Sequence, residues 1–117
     1  IDEEKKAEKD SLSTVFNRGA FVKNVKNKLS MRNKAEACAF YMIDIDNFKS
    51  INDNYGHNVG DLVIRNVGKI INGIFANKAV PGRMGGDEFA VYQDSIEKTS
   101  VVYELADSIK FIMLQLI

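Results

Sequence analysis

Apolar side chains recur along the chain in several distinct rhythms. Phe21, Val22, Val25 and Leu29 fall at helical spacing among charged and amide residues. This predicts an amphipathic helix over Asn17–Leu29, with Asn17 as its cap. Cys38 to Ile43 is instead a short unbroken apolar run bounded by polar residues, the pattern of a buried strand. It ends at once in Asp44-Ile45-Asp46, so two carboxylates stand where that strand leaves the core. Phe48 and Ile51 predict a short helix over Asn47–Asn54, and Asn54-Tyr55-Gly56-His57 reads as a turn. Val59, Val63, Val67, Ile70, Ile71 and Ile74 trace one face of a longer helix. Ala79–Met84 and Glu88–Tyr92 read as two short strands. Gly85-Gly86 between them suits a tight hairpin with positive φ at both central positions. Pro81 assigns the first of these strands to an edge or a strand beginning. Val101, Val102, Leu105, Ile109, Ile112, Met113 and Leu116 predict a final helix that runs to the last residue.

The order of helix, strand, helices, hairpin and helix predicts an α/β (α+β) fold. A palm-like or ferredoxin-like central sheet flanked by helices fits it best. No strand follows the predicted last helix, so the sheet is expected to be incomplete at the C-terminus. Residues 1–10 are almost all charged. They read as an exposed helix or a linker arriving from an upstream region, or equally as a frayed terminus. The domain proper is expected over residues 11–117.

Composition narrows the classes. The chain has 117 residues, 45% hydrophobic and 27% charged, which excludes disordered and low-complexity classes. Sixteen basic residues balance sixteen acidic ones, so net charge gives no reason to expect nucleic acid or an anionic membrane surface as partner. One cysteine forms no internal disulfide. There is no apolar run long enough to span a bilayer and no signal-peptide core in IDEEKKAEKD. A cytoplasmic domain is expected, in a parent that is either membrane-anchored or not.

The acidic residues carry the first chemical signal. Asp44 and Asp46 end a predicted strand, and Asp87 and Glu88 follow a double glycine. If that strand pairs beside the hairpin, these carboxylates converge at one sheet edge. Repelling carboxylates of this kind suit Mg²⁺ or Mn²⁺, hard cations that also take phosphate oxygens. Two such ions align a hydroxyl and a phosphate for in-line attack. Without that pairing the same residues are solvated turn carboxylates. Asp61 lies in the first turn of the longer helix, where the helix dipole alone accounts for it. His57 is a lone turn histidine, and Cys38 reads as a small buried hydrophobe.

Arg83-Met84-Gly85-Gly86-Asp87-Glu88-Phe89 contains the letters GGDEF. Asp44-Ile-Asp46-Asn-Phe48-Lys49-Ser-Ile-Asn52-Asp53, Tyr55-Gly56-His57 and Gly60-Asp61 precede it in order. Upstream stands Asp10-Ser-Leu12-Ser13-Thr-Val15-Phe-Asn17-Arg18. Together these resemble the DxLTxLxNR, DxDxFKxxND…GH…GD and GGDEF motifs of the GGDEF domain of diguanylate cyclases, with Ser for Thr and Val for Leu in the first. The resemblance covers the chain from about Asp10 onward.

The resemblance implies a reaction in which two GTP molecules condense to cyclic di-GMP and two pyrophosphates. Each domain would hold one GTP, and two domains would meet face to face as a homodimer. It further implies that Asp44 and Glu88 hold the metals, assisted by the Ile45 carbonyl. Asp87 would bind the second metal or help deprotonate the 3′-hydroxyl. Gly85 and Gly86 would let the backbone approach the nucleotide without a Cβ clash. The N–H groups of Asn47, Phe48 and Lys49, with the Lys49 ammonium, would meet the β- and γ-phosphates. A solvated lysine is the plainer reading of Lys49. Asn52 and Asp61 would read guanine, because a carboxylate accepting from N1 and N2 leaves adenine mismatched. Asn17 and Arg18 are read as a helix start and an ion pair, Phe89 and Tyr92 as core. Arg83 pairs with either a carboxylate or a phosphate.

Two departures from the family pattern stand out. The Arg-x-x-Asp product-inhibition motif is replaced by Ala76-Asn77-Lys78-Ala79, so feedback through that site is not expected. Family domains also continue past the position of Ile117 with a further strand, a hairpin and a Lys/Arg pair on the phosphates. A 117-residue fragment is therefore expected to turn over weakly or not at all, while an upstream sensor domain would control the parent. The alternative function is a non-catalytic GTP-binding regulatory module; a dimerisation scaffold predicts neither binding nor pyrophosphate release.

Overall fold

The run Cys38–Ile43 forms the centre of β1 (Ala37–Asp44), and the rest of the molecule is arranged around it. The computed structural model describes residues 7–75, 79–96 and 112–116. Its elements are α1 (Arg18–Met31), β1, α2 (Phe48–Tyr55), α3 (His57–Phe75), β2 (Ala79–Arg83), β3 (Glu88–Ile96) and β4 (Ile112–Leu116). The sheet order is β2-β3-β1-β4, and every neighbouring pair is antiparallel. β1 is thus an inner strand, which is why it reads as a continuous apolar run. Ala39, Tyr41 and Ile43 face one side with Phe89 and Val91 of β3, packed against Ile64, Ile71 and Phe75 of α3. Cys38 and Phe40 face the other side with Ala90 and Tyr92, where Phe21 and Val25 of α1 cover them together with Val80 of β2.

Asn17 caps α1 as expected, its Oδ1 accepting from the Ala20 N–H at 2.9 Å. The buried face of α1 is Ala20, Phe21 and Val25, while Val22 and Leu29 are exposed. In α3 the buried face is likewise rotated from the expected one. Gly60, Ile64, Gly68, Ile71 and Phe75 are buried, Ile64, Ile71 and Phe75 of them against the sheet, and Val59 and Ile70 are exposed. Gly60 and Gly68 carry no apolar signal, yet Gly68 is where Ser13 crosses the helix; a Cβ there would overlap the Ser13 backbone. The described residues before α1 are not helical. Lys9 bridges Phe16, and Glu8 accepts from the Asn17 N–H.

β2 is an edge strand, as Pro81 implies. Its outer side meets Phe16, whose N–H donates to Pro81 O at 3.0 Å and whose carbonyl accepts from Arg83 N–H at 2.9 Å. The predicted final helix is replaced over Ile112–Leu116 by β4, which pairs with β1 from Ile43↔Ile112 to Ala39↔Leu116. Short apolar runs do not distinguish helix from strand, and the outer side of β1 offers a row of backbone groups to pair. The remainder of that predicted helix, residues 101–111, lies outside the described residues, as do residues 76–78 of the altered inhibition motif.

Candidate functional site

The register of β1 against β3 builds the site. Asp44 is paired directly with Glu88, the last pair of the ladder, and register partners share a face. That face is the α1 side of the sheet, but α1 lies against β2 and leaves the end of β1 uncovered; Met42 and Asp44 are exposed there. The ladder continues one step, with Ile45 N–H donating to Asp87 O at 3.0 Å. Carboxylate oxygens of Asp44, Asp87 and Glu88 consequently all lie within 4.8 Å of one another. Asp46, counted with this cluster from the sequence, is not part of it. Three hard oxygen donors at this spacing fit a divalent cation such as Mg²⁺, which binds through one or two carboxylates and completes its octahedron with water or phosphate. Ile45 is at the cluster through its backbone, while its side chain packs against the α3 core.

The loop that presents Asp87 differs from the expected hairpin. It has four residues, Met84–Asp87, and among the described glycines only Gly56 has a positive φ. Gly85 and Gly86 therefore do not supply left-handed backbone. Glu88 O closes the loop by accepting from the N–H groups of Met84 (2.8 Å) and Gly85 (3.3 Å). Arg83 holds it from outside: Nε donates to Gly85 O at 3.2 Å and one terminal nitrogen to Gly86 O at 2.8 Å. Its other terminal nitrogen lies 3.3 and 3.2 Å from the two Asp10 carboxylate oxygens. This resolves the partner of Arg83 in favour of a carboxylate. Asp10 also accepts from the N–H of Ser13 at 2.9 Å and its hydroxyl at 2.8 Å. Burial pushes the Asp10 carboxyl up, but the Ser13 bonds and Arg83 outweigh it and hold the group below the ordinary aspartate range. The sequence left the partner of Arg83 open and marked Asp10 only as a motif residue; what it did not show is that the two pair. The available signal was Asp10 three residues ahead of Ser13, a side chain-to-backbone turn pattern.

Beyond β1 the chain turns through Asn47 in the left-handed region (φ 58, ψ 28) and enters α2 at Phe48. Asn47 makes no side-chain cap, so the first N–H groups of α2 are open to an external acceptor. Phe48 packs on the main core and Lys49 is exposed. Asn52 and Asp61 are brought to one place by the α2–α3 turn: the Asn52 amide lies against Gly60, the residue beside Asp61. Gly56, at φ 89, makes that turn possible, and its N–H donates to Asn52 O at 2.8 Å. A separate cavity of about 230 Å³, lined by Arg32, Glu36, Cys38 and Asp94 among others, sits at the opposite end of β1 and contains no motif residue.

An antiparallel sheet with helices on both faces, carrying clustered carboxylates at the end of its inner strands, defines a palm-like domain with an acidic cluster that could hold a cation. The model of the family described as diguanylate cyclase, GGDEF domain, matches residues 7–114, and the chain belongs to that family. It is 41% identical over 93 residues to diguanylate cyclase DgcP of Escherichia coli, an alignment covering 79% of this chain and 27% of DgcP. The chain thus spans about a quarter of that curated relative's length. The solved GGDEF domain of TpbB from Pseudomonas aeruginosa superposes with a TM-score of 0.79 at 31% identity, over 92% of this chain and 72% of that one. The GGDEF domain of DgcB from Caulobacter crescentus, solved in complex with c-di-GMP, gives 0.77 at 25% identity, over 96% and 76%. Among the described residues no helix is long and apolar enough to cross a membrane.

Proposed function

We propose that this chain is the catalytic domain of a diguanylate cyclase that condenses two GTP into cyclic di-GMP and two pyrophosphates. The observation that carries the reading is the Asp44↔Glu88 pair with Asp87 within 4.8 Å of both. Relatives named as diguanylate cyclases support it. Asp44, Asp87 and Glu88, with the Ile45 carbonyl, would hold Mg²⁺ or Mn²⁺. Bound there, the cation would supply charge neutralisation for the α-phosphate and acidify the attacking 3′-hydroxyl.

The chain's own residues do the rest. The open N–H groups at Asn47, Phe48 and Lys49 donate to oxygens of the β- and γ-phosphates, with the Lys49 ammonium adding charge. Asn52 and Asp61 hold the guanine edge. Gly85 and Gly86, exposed and without a Cβ, let the loop lie against the nucleotide while Arg83 keeps their carbonyls turned away from it. One domain holds one GTP, so the active unit is a homodimer with the two substrates face to face. An upstream sensor would control the domain, which would work in the cytoplasm.

The full-length protein, incubated with GTP and Mg²⁺, should yield cyclic di-GMP and pyrophosphate by mass spectrometry. Glu88→Gln should abolish both with the fold intact. GTP binding without pyrophosphate release, at concentrations that permit dimers, would overturn the enzyme reading in favour of a GTP-binding regulatory module.

A further inference from the structure

Gly60 is the fourth residue of α3 and is buried. A Cβ built on it would overlap Asn52 Oδ1 and stand 3.0 Å from Asn52 Cγ and 3.5 Å from Nδ2. The other two buried glycines with close neighbours differ in kind. At Gly68 the obstacle is the Ser13 backbone, and at Gly82 it is the Phe21 ring, 2.6 Å away. Those glycines are required by packing. At Gly60 the obstacle is the polar end of one side chain, which can swing aside at little cost to the fold. The Asn52 backbone cannot follow, because its carbonyl is fixed by the Gly56 N–H in the turn. No hydrogen bond to the described residues holds the Asn52 amide; it is held by its contact with the bare Gly60 Cα, next to Asp61.

We infer that Gly60 is a positioning residue for base selection: the missing Cβ seats the Asn52 amide beside Asp61, so that the two present one composite edge to the base. The inference rests on the reading of Asn52 and Asp61 as the guanine contacts. Gly60→Ala leaves both polar side chains and all three carboxylates in the sequence, yet displaces one half of that edge.

The test uses the full-length protein and non-hydrolysable analogues of GTP, ITP and ATP, with affinities from calorimetry. The native protein should prefer the GTP analogue. Gly60→Ala should weaken it about tenfold while changing the ATP analogue little, the loss appearing in KM for GTP rather than in kcat. In an Asn52→Ala background, where nothing is left to displace, Gly60→Ala should add no further loss. Its melting temperature should not fall, since alanine favours helix over glycine. Retained guanine preference in Gly60→Ala, or losses that simply add in the double variant, would overturn the positioning role alone. A native protein with no preference for guanine would overturn the base-reading pair as well. If the variant does not fold, the native protein still decides: a nuclear Overhauser contact between the Asn52 side-chain amide and the Gly60 Hα is expected, and its absence refutes the seat.

Discussion

Replacing Arg83 by Met removes the guanidinium that joins Asp10 to the signature loop while keeping an unbranched apolar stem. The two side chains are only 18% and 19% exposed, so the pair is better shielded than a surface ion pair. The carbonyls of Gly85 and Gly86 belong to exposed residues and regain water when the arginine is lost. The cost falls on Asp10, which keeps its Ser13 bonds but loses its counter-charge. A charge-assisted hydrogen bond contributes about 1.5–3 kcal/mol, so a loss of about 2 kcal/mol is expected. With a urea slope of about 2 kcal/mol per M, the unfolding midpoint falls by about 1 M. Asp10→Asn should cost a similar amount, and the double variant less than the sum. The pH dependence follows from the lowered carboxyl of Asp10. A carboxyl whose native pKa is depressed stabilises above its unfolded pKa, and that contribution disappears as pH falls through the native value. The gap between native and Arg83→Met proteins should therefore be full at neutral pH and close below about pH 4. A loss under about 0.5 kcal/mol, or a gap unchanged down to about pH 2, would refute the argument.

Three further outcomes are expected. Gly68→Ala sets a Cβ against the Ser13 backbone and should destabilise by about 1–2 kcal/mol despite better helix propensity; a gain in urea unfolding would contradict the close approach. Gly86→Ala meets nothing within 4 Å and needs no left-handed backbone, so its stability should stay within about 0.5 kcal/mol of native, whereas a loss above about 1 kcal/mol would restore the positive-φ expectation. Burial pushes the Tyr41 phenol up to about 12, so its ultraviolet ionisation should be absent at pH 10.5 in the folded protein; because the unfolded phenol ionises first, stability falls as pH rises from about 10 to about 12.

The sequence carried most of the fold wherever burial left a period. Cys38–Ile43 announces an inner strand because both its faces are covered as far as Tyr41, and Asn17 announces a helix start because its side chain has a definite acceptor role. Burial without apolarity was silent. Gly60 and Gly68 are buried because other chain segments, Asn52 and Ser13, come too close for a side chain, and no hydrophobic pattern marks them. The Gly85-Gly86 pair misled in the opposite direction, since a turn-forming dipeptide sits here in a four-residue loop closed by Glu88 and Arg83. The last segment was misread because Ile-Met-Leu-Gln-Leu satisfies a helical stripe and a strand alike. Of the acidic residues, the strand-end pair Asp44 and Glu88 was recoverable from strand order, but the exclusion of Asp46 required the register. The Arg83–Asp10 pair links residues 73 positions apart, beyond any local pattern.

The outer flank of β2 has a consequence for self-association. An open sheet margin invites another chain to add itself by backbone pairing, the usual first step of strand exchange and fibrillar growth. Here Phe16 already takes the Pro81 carbonyl and the Arg83 N–H, while Pro81 has no N–H to offer a newcomer. An intruding strand would have to peel away the segment that Asp10 and Asn17 anchor on either side of Phe16. The margin is closed by the protein's own leading segment, so loosening that segment would cost both the signature loop's support and the molecule's defence against polymerising along β2.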